Sequence, residues 1–147
     1  MNLSILTVIP ARSGSKGIIN KNVQLICRKP LLAHSIIQAL GSKLVNRVVV
    51  STDDATISRI SLNNGAEVIK RPKNISGDKA HTDLALKHVL NILLKKEGYQ
   101  PNLVVLLQAT SPIRKSQQVD EAIYKLVNEN ADTCISVCPE HFTGRWV

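Results

Sequence analysis

Aromatic side chains are nearly missing from this chain: one Trp, two Tyr and one Phe in 147 residues. Three of the four (Tyr124, Phe142 and Trp146) lie late in the sequence. A protein that holds nucleic acid by stacking bases needs aromatic platforms beside its cations, so no nucleic-acid partner is expected. Cysteine is also scarce. Cys27, Cys134 and Cys138 are odd in number, which argues against a disulfide framework and fits a reducing, cytoplasmic compartment. No apolar run approaches the roughly eighteen residues of a membrane span, so no membrane partner is expected. The first apolar stretch, Leu3 to Ile9, is too short for a secretory leader and reads as a buried strand.

What is present describes a globular chain. At 44% hydrophobic and 20% charged, residues 1–147 are expected to form a single domain with a real core. The net charge of +8 is spread over the sequence, with one cluster at Lys16, Lys21, Arg28 and Lys29 that points to a small anionic substrate. That cluster begins in the most informative segment, Val8 to Asn22, VIPARSGSKGIINKN. Small residues there let backbone N–H groups turn toward a ligand, and Arg12, Lys16 and Lys21 add positive charge. This is the chemistry of a polyphosphate cradle. The segment fits neither the Walker loop nor the dinucleotide fingerprint, because Gly14 and Gly17 have the wrong spacing for both.

Apolar runs alternate with helical periods. Strands are expected at Leu3 to Ile9, Arg47 to Val50, Glu67 to Ile69, Leu103 to Leu107 and Thr133 to Cys138. Helices are expected over Leu31 to Leu40, over Ala55 to Asn64 after an Asp53 or Asp54 cap, from a Thr82 cap to Glu97, and from a Ser116 cap onward. Leu103 to Leu107 reads as an uninterrupted buried strand. This alternation implies βαβ crossovers and an α/β fold with a mostly parallel sheet covered on both faces. The polar clusters at Arg12 to Asn22, Thr52 to Asp54, Arg71-Pro72 and Gln108 to Arg114 all follow strands, on the rim where such sheets bind ligands.

The same residues resemble a family. Pro10 to Gly17 with Lys21-Asn22 is similar to the signature loop of acylneuraminate cytidylyltransferases, the CMP-sialic acid synthetases. Further matches follow in order at Arg28 to Leu31, Val50 to Asp54, Gly65 to Glu67, Arg71-Pro72, Asp78, Thr82-Asp83 and Leu106 to Arg114. The chain departs from the pattern at Ser13, where glycine is usual, and at Ile19 and Ala109, where proline is common. It also ends at Val147, ahead of the oligomerising segment and Asp-rich metal motif of such proteins. It therefore reads as a fragment or a short relative.

The resemblance implies a three-layer α/β/α Rossmann-like nucleotidyltransferase fold. It also implies a reaction in which CTP and an acidic nine-carbon sugar give a CMP-sugar and pyrophosphate, with the sugar hydroxyl attacking the α-phosphorus. Pseudaminic, legionaminic or deoxy-octulosonic acid as the sugar, and a non-catalytic nucleotide-binding domain, stay open as alternatives. Arg12 and Lys21 are expected to carry the charge work on the phosphates. Ala11, Arg12, Ser13, Ser15, Lys21, Asn22 and Arg71 are carried over as nucleotide contacts. Gln108, Thr110, Ser111 and Arg114 are carried over to the sugar side, with Arg114 suited to a carboxylate.

Mg²⁺ is implied, with no ligand identifiable in this chain, because Asp53 and Asp54 read equally well as helix-capping carboxylates. Homodimerisation is left open by the same resemblance. Cys134, Cys138 and His141 lack a fourth partner and read as core thiols rather than a zinc site. His34, His81 and His88 read as structural or surface histidines.

Overall fold

The computed structural model describes residues 3–14, 17–77 and 81–137. Four parallel strands form the main sheet: β1 (Ile5–Pro10), β4 (Arg47–Thr52), β5 (Glu67–Lys70) and β6 (Leu103–Leu106), in the order β5-β4-β1-β6. Two-residue strands β2 (Leu25–Ile26) and β3 (Lys29–Pro30) make a separate antiparallel hairpin. Helices α1 (Leu31–Leu40), α2 (Ala55–Asn63), α3 (Thr82–Glu97) and α4 (Ser116–Asn128) connect or follow the strands. The chain belongs to the α/β class, as the alternating pattern predicts.

Side-chain alternation along β1 splits the core in two. Ile5 and Ile9 pack with Leu32, Ile36 and Ala39 of α1, Ile57 of α2, and Val119 and Ile123 of α4. Leu6 and Val8 point the other way, against Val89 and Leu93 of α3. Each fully buried aliphatic side chain removes about 1.5–3 kcal/mol worth of apolar surface from water. β1 therefore anchors both layers, and the loop at its end leaves a rigid support.

Local chemistry explains most element ends. Asp54 caps α2, its carboxylate accepting from the Ile57 amide at 2.8 Å. Gly65 follows α2 at φ +87°, a conformation that costs glycine little. Neither Thr82 nor Ser116 is a cap: each is the first residue inside its helix, preceded by His81 and Lys115. The Lys115 amide instead donates to Gln118 Oε1 at 2.8 Å.

Two strand expectations need correction. β6 is not buried along its length: Val104 and Leu106 remain 40% and 39% exposed, while Leu103 and Val105 pack inward. The strand lies at the sheet edge among the described residues, and its second face is only partly covered. The segment 133–137 forms no strand. Ile135 and Val137 are 80% and 90% exposed, so no burial there offsets the entropy of ordering a strand. Cys138 and His141 of the imagined zinc trio, with Lys16 and Asp78, lie outside the described residues. Among the described residues, no helix is long and apolar enough to cross a membrane.

At the end of the sheet away from the rim loops, Arg47 binds Glu67 and Glu97 with N–O distances of 2.6 and 2.7 Å. Its guanidinium also lies 4.9 Å from the centre of the Tyr99 ring. This network joins β4, β5 and the end of α3.

Candidate active site

A cleft of about 390 Å³ opens at the C-terminal ends of the parallel strands, a volume suited to a nucleotide-sized ligand. Its position follows from topology. The chain winds from β1 through β4 to β5 in one direction, then crosses by α3 to β6 on the other side of β1. Such a reversal parts the rim loops and leaves a crevice beside the central strand.

The structure brings six of the expected site residues together: Arg12, Lys21, Asn22, Arg71, Gln108 and Thr110 all line the cleft. Three of them are cations, supplied by three positions along the chain. Lys21 opens a 3-10 turn over Lys21–Val23, entered through Asn20 in the left-handed region at φ 54°. Asn22 is buried, and its Nδ2 donates to the Arg12 carbonyl at 3.0 Å, closing the loop onto its own start.

Arg71 is only 6% exposed, a buried cation rather than a solvated one. Its Nη2 donates to the Ser51 carbonyl at 2.6 Å and its Nε to Ser51 Oγ at 3.1 Å. Burial lowers its pKa, Asp53 raises it, and the nearby Arg12 charge lowers it again. Arginine remains a cation even so. On α3, burial and the Arg71 charge both lower the pKa of His88, favouring a neutral imidazole beside the arginine.

Ala11, Ser13, Ser111 and Arg114, the other expected residues that are described, are not among those lining the cleft. Ala11 is buried, and its amide donates to the Ser51 carbonyl at 3.0 Å. Ser13 gives both its amide and its hydroxyl to Asp53. Arg114 donates to the Gln108 carbonyl at 3.2 Å and to Gln38 Oε1 at 3.3 Å, while Ser35 Oγ donates to the same Gln108 carbonyl. These bonds fix the Gln108 backbone and leave its side chain exposed at the cleft. Ser111 is exposed, and its amide closes a turn onto Gln108. Ser15 lies outside the described residues.

His81 and Thr82, at the start of α3, also line the cleft and were not among the expected contacts. The signals for them in the sequence are the helix start, which puts residues at a rim, and for Thr82 the match of Thr82-Asp83 to the family pattern. Arg28 and Lys29, read as part of the cationic cluster, sit instead on the β2–β3 hairpin. The hairpin is held by His34, whose Nε2 lies 2.8 Å from the Ile26 carbonyl.

The described residues contain no group of three His, Cys, Asp or Glu side chains that could hold a metal ion. The two rim carboxylates are otherwise engaged, Asp54 as the α2 cap and Asp53 with Ser13. They do not fit the implied Mg²⁺ as a ready-made site.

Several known proteins are similar in sequence to this chain. The chain is 41% identical over 123 residues to an N-acylneuraminate cytidylyltransferase of Escherichia coli, covering 84% of this chain and 28% of that protein. It is 35% identical to the CMP-N,N'-diacetyllegionaminic acid synthase of Legionella pneumophila, over 98% of this chain and 62% of that protein. It is likewise 35% identical to a pseudaminic acid cytidylyltransferase of Campylobacter jejuni, over 86% and 54%. The chain thus spans between about a quarter and two thirds of these relatives' lengths.

Among solved structures, a CMP:2-keto-3-deoxy-manno-octonic acid synthetase complexed with CTP shares the fold at a TM-score of 0.70. Identity there is 24%, over 87% of this chain and 49% of that one. The three-layer nucleotidyltransferase fold expected from the sequence is therefore the fold observed. The pattern that defines the cytidylyltransferases matches residues 6–142, nearly the whole described sheet and its rim, and on that ground the chain belongs to the cytidylyltransferase family.

Proposed function

We propose that this chain carries the CTP site of an enzyme that transfers CMP to an acylneuraminate-type nonulosonic acid, an acidic nine-carbon sugar. The sugar hydroxyl oxygen bonds to the α-phosphorus, the bond from that phosphorus to the bridging oxygen breaks, pyrophosphate leaves, and the hydroxyl proton passes to solvent. The carrying observation is the meeting of Arg12, Lys21 and Arg71 in one cleft with Asn22, Gln108 and Thr110.

Three cations facing one space suit a triphosphate. Arg12 grips phosphate oxygens with two donors at once, and Lys21 supplies a mobile charge for the oxygens that gain charge as pyrophosphate departs. Asn22 and Arg71 are assigned as further contacts to the nucleotide. Gln108 and Thr110 offer an amide and a hydroxyl to a polyhydroxylated sugar, with Ser111 beside them and Arg114 bracing Gln108 from behind. Catalysis here consists of positioning and charge neutralisation. In this reading residues 1–147 act as one nucleotidyltransferase domain. Cys27 and Cys134 are free thiols, which suits a cytoplasmic setting.

The test is pyrophosphate release by the purified protein with CTP, Mg²⁺ and N-acylneuraminic, legionaminic and pseudaminic acids in turn. Turnover should fall on the order of a hundredfold or more in Arg12→Ala and in Lys21→Ala. Turnover unaffected by both substitutions would refute the assignment. CTP binding without turnover on any of the sugars would favour a nucleotide-binding domain that lacks the chemistry.

A further inference from the structure

The loop after β1 and the loop after β4 are tied together by one residue pair. Ser13 donates its amide to Asp53 Oδ1 at 3.0 Å and its hydroxyl to Asp53 Oδ2 at 2.7 Å. A serine hydroxyl has a single proton, and here it is spent on a carboxylate. Both oxygens of Asp53 are engaged by the same partner. Burial raises the Asp53 pKa, but the two Ser13 bonds, its own backbone amide and the Arg71 charge together hold it below the usual carboxylate range.

The position of this tie gives it a consequence. Ser13 directly follows Arg12, whose carbonyl is held by Asn22 from the far end of the loop. The peptide bond that joins Arg12 to Ser13 is thus held at its carbonyl by Asn22 and at its amide by Asp53. Gly14, the next residue, turns away at φ +69°. Asp53 also acts electrostatically on Arg71, across the rim.

We propose that Ser13 and Asp53 form a latch, a pair of positioning residues that sets Arg12 against Arg71 in the cleft without either of them touching the nucleotide. This rests on the reading of the cleft as a CTP site. For the Ser13 hydroxyl to donate to a phosphate, its bond to Asp53 Oδ2 would have to be given up. As a latch, the pair lets β4 dictate where the β1 loop places its cation before the ligand arrives. Preorganisation of this kind raises affinity by reducing the ordering that binding must impose.

The experiment measures CTP dissociation constants for the wild type, Ser13→Ala, Asp53→Ala, the double variant and Ser13→Thr, alongside backbone amide exchange of the ligand-free proteins. Each alanine variant should weaken CTP binding about tenfold, the scale of one charge-assisted hydrogen bond. The double variant should bind no worse than the weaker single one, and Ser13→Thr, which keeps the hydroxyl, should bind within about threefold of wild type.

Additive losses, or a loss in Ser13→Ala that Asp53→Ala does not share, would overturn the latch and make the Ser13 hydroxyl a direct ligand contact. Unchanged binding in Ser13→Ala would overturn it as well. If the wild type bound no CTP at all, the functional reading would fail by itself. Amide exchange would then still decide the latch: protection lost around residues 12–14, more in Asp53→Ala than in Ser13→Ala, which keeps its amide bond to Asp53, supports it, and unchanged protection in Asp53→Ala refutes it.

Discussion

Arg71 lies across the end of β4, with Nη2 2.6 Å from the Ser51 carbonyl and Nε 3.1 Å from Ser51 Oγ. That same carbonyl accepts the Ala11 amide. One buried residue of β4 therefore fixes both the arginine that follows β5 and the start of the loop that follows β1. Arg71→Lys keeps the charge but loses the fork, so it should lower stability by about 1.5–3 kcal/mol and weaken CTP binding. Urea unfolding should show a lower midpoint at an unchanged slope. A midpoint equal to wild type would show that a point charge suffices there.

Asp120 on α4 gives the fold an acid-sensitive joint. Burial raises its pKa, but bonds from Ser42 Oγ and from the Lys43 and Leu44 amides outweigh this and hold it below its ordinary value. A depressed carboxylate pKa stabilises the fold fully above the unfolded pKa of about 3.9. That contribution is lost as the pH falls through the lower, folded value. Asp120→Asn should therefore melt below wild type at pH 7, with the gap closing below about pH 4. A gap constant from pH 7 to pH 3 would mean the carboxylate charge is irrelevant.

The α2 cap is a cleaner local test. Asp54→Ala removes the acceptor for the Ile57 amide and should cost about 1 kcal/mol, whereas Asp54→Ser, another good cap, should recover most of it. Equal losses in the two variants would point to a role other than capping.

Thr7 is wholly buried in the middle of β1, and its hydroxyl has no hydrogen-bond partner among the described residues. Valine has nearly the same shape and no polar atom to leave unsatisfied. Thr7→Val should stabilise the protein by about 1 kcal/mol or more. Destabilisation on chemical denaturation would reveal a partner for the hydroxyl.

Much of this architecture is legible in the residue pattern. The limits of α1 and α3 coincide with their apolar stripes, because a buried face with helical spacing leaves little freedom in register. The rim clusters were legible for a related reason: polar residues directly after a buried parallel strand have only the ligand-binding edge to occupy. What the pattern does not carry is pairing between distant residues. Ser13 meets Asp53 across 40 positions, and Arg47 meets Glu97 across 50.

Neither side of such a pair marks its partner in the sequence. Arg71 is legible as a rim cation, but its burial against Ser51, 20 positions away, is not. The apolar run of β6 suggests full burial, yet exposure depends on which strand or helix lies alongside, and that is set by topology rather than composition. Ile135 and Val137 show the same limit, being strand-like in type yet exposed and outside any strand among the described residues.

The central claim is that the three-cation cleft binds CTP through Arg12 and Lys21. Calorimetric titration of CTP into the wild type, Arg12→Ala, Lys21→Ala and the exposed surface variant Lys95→Ala tests it directly. The account predicts saturable one-site binding in the wild type and in Lys95→Ala, weakened by about tenfold or more when either cleft cation is removed. Affinities that fall equally in all three variants, or in none, would contradict it.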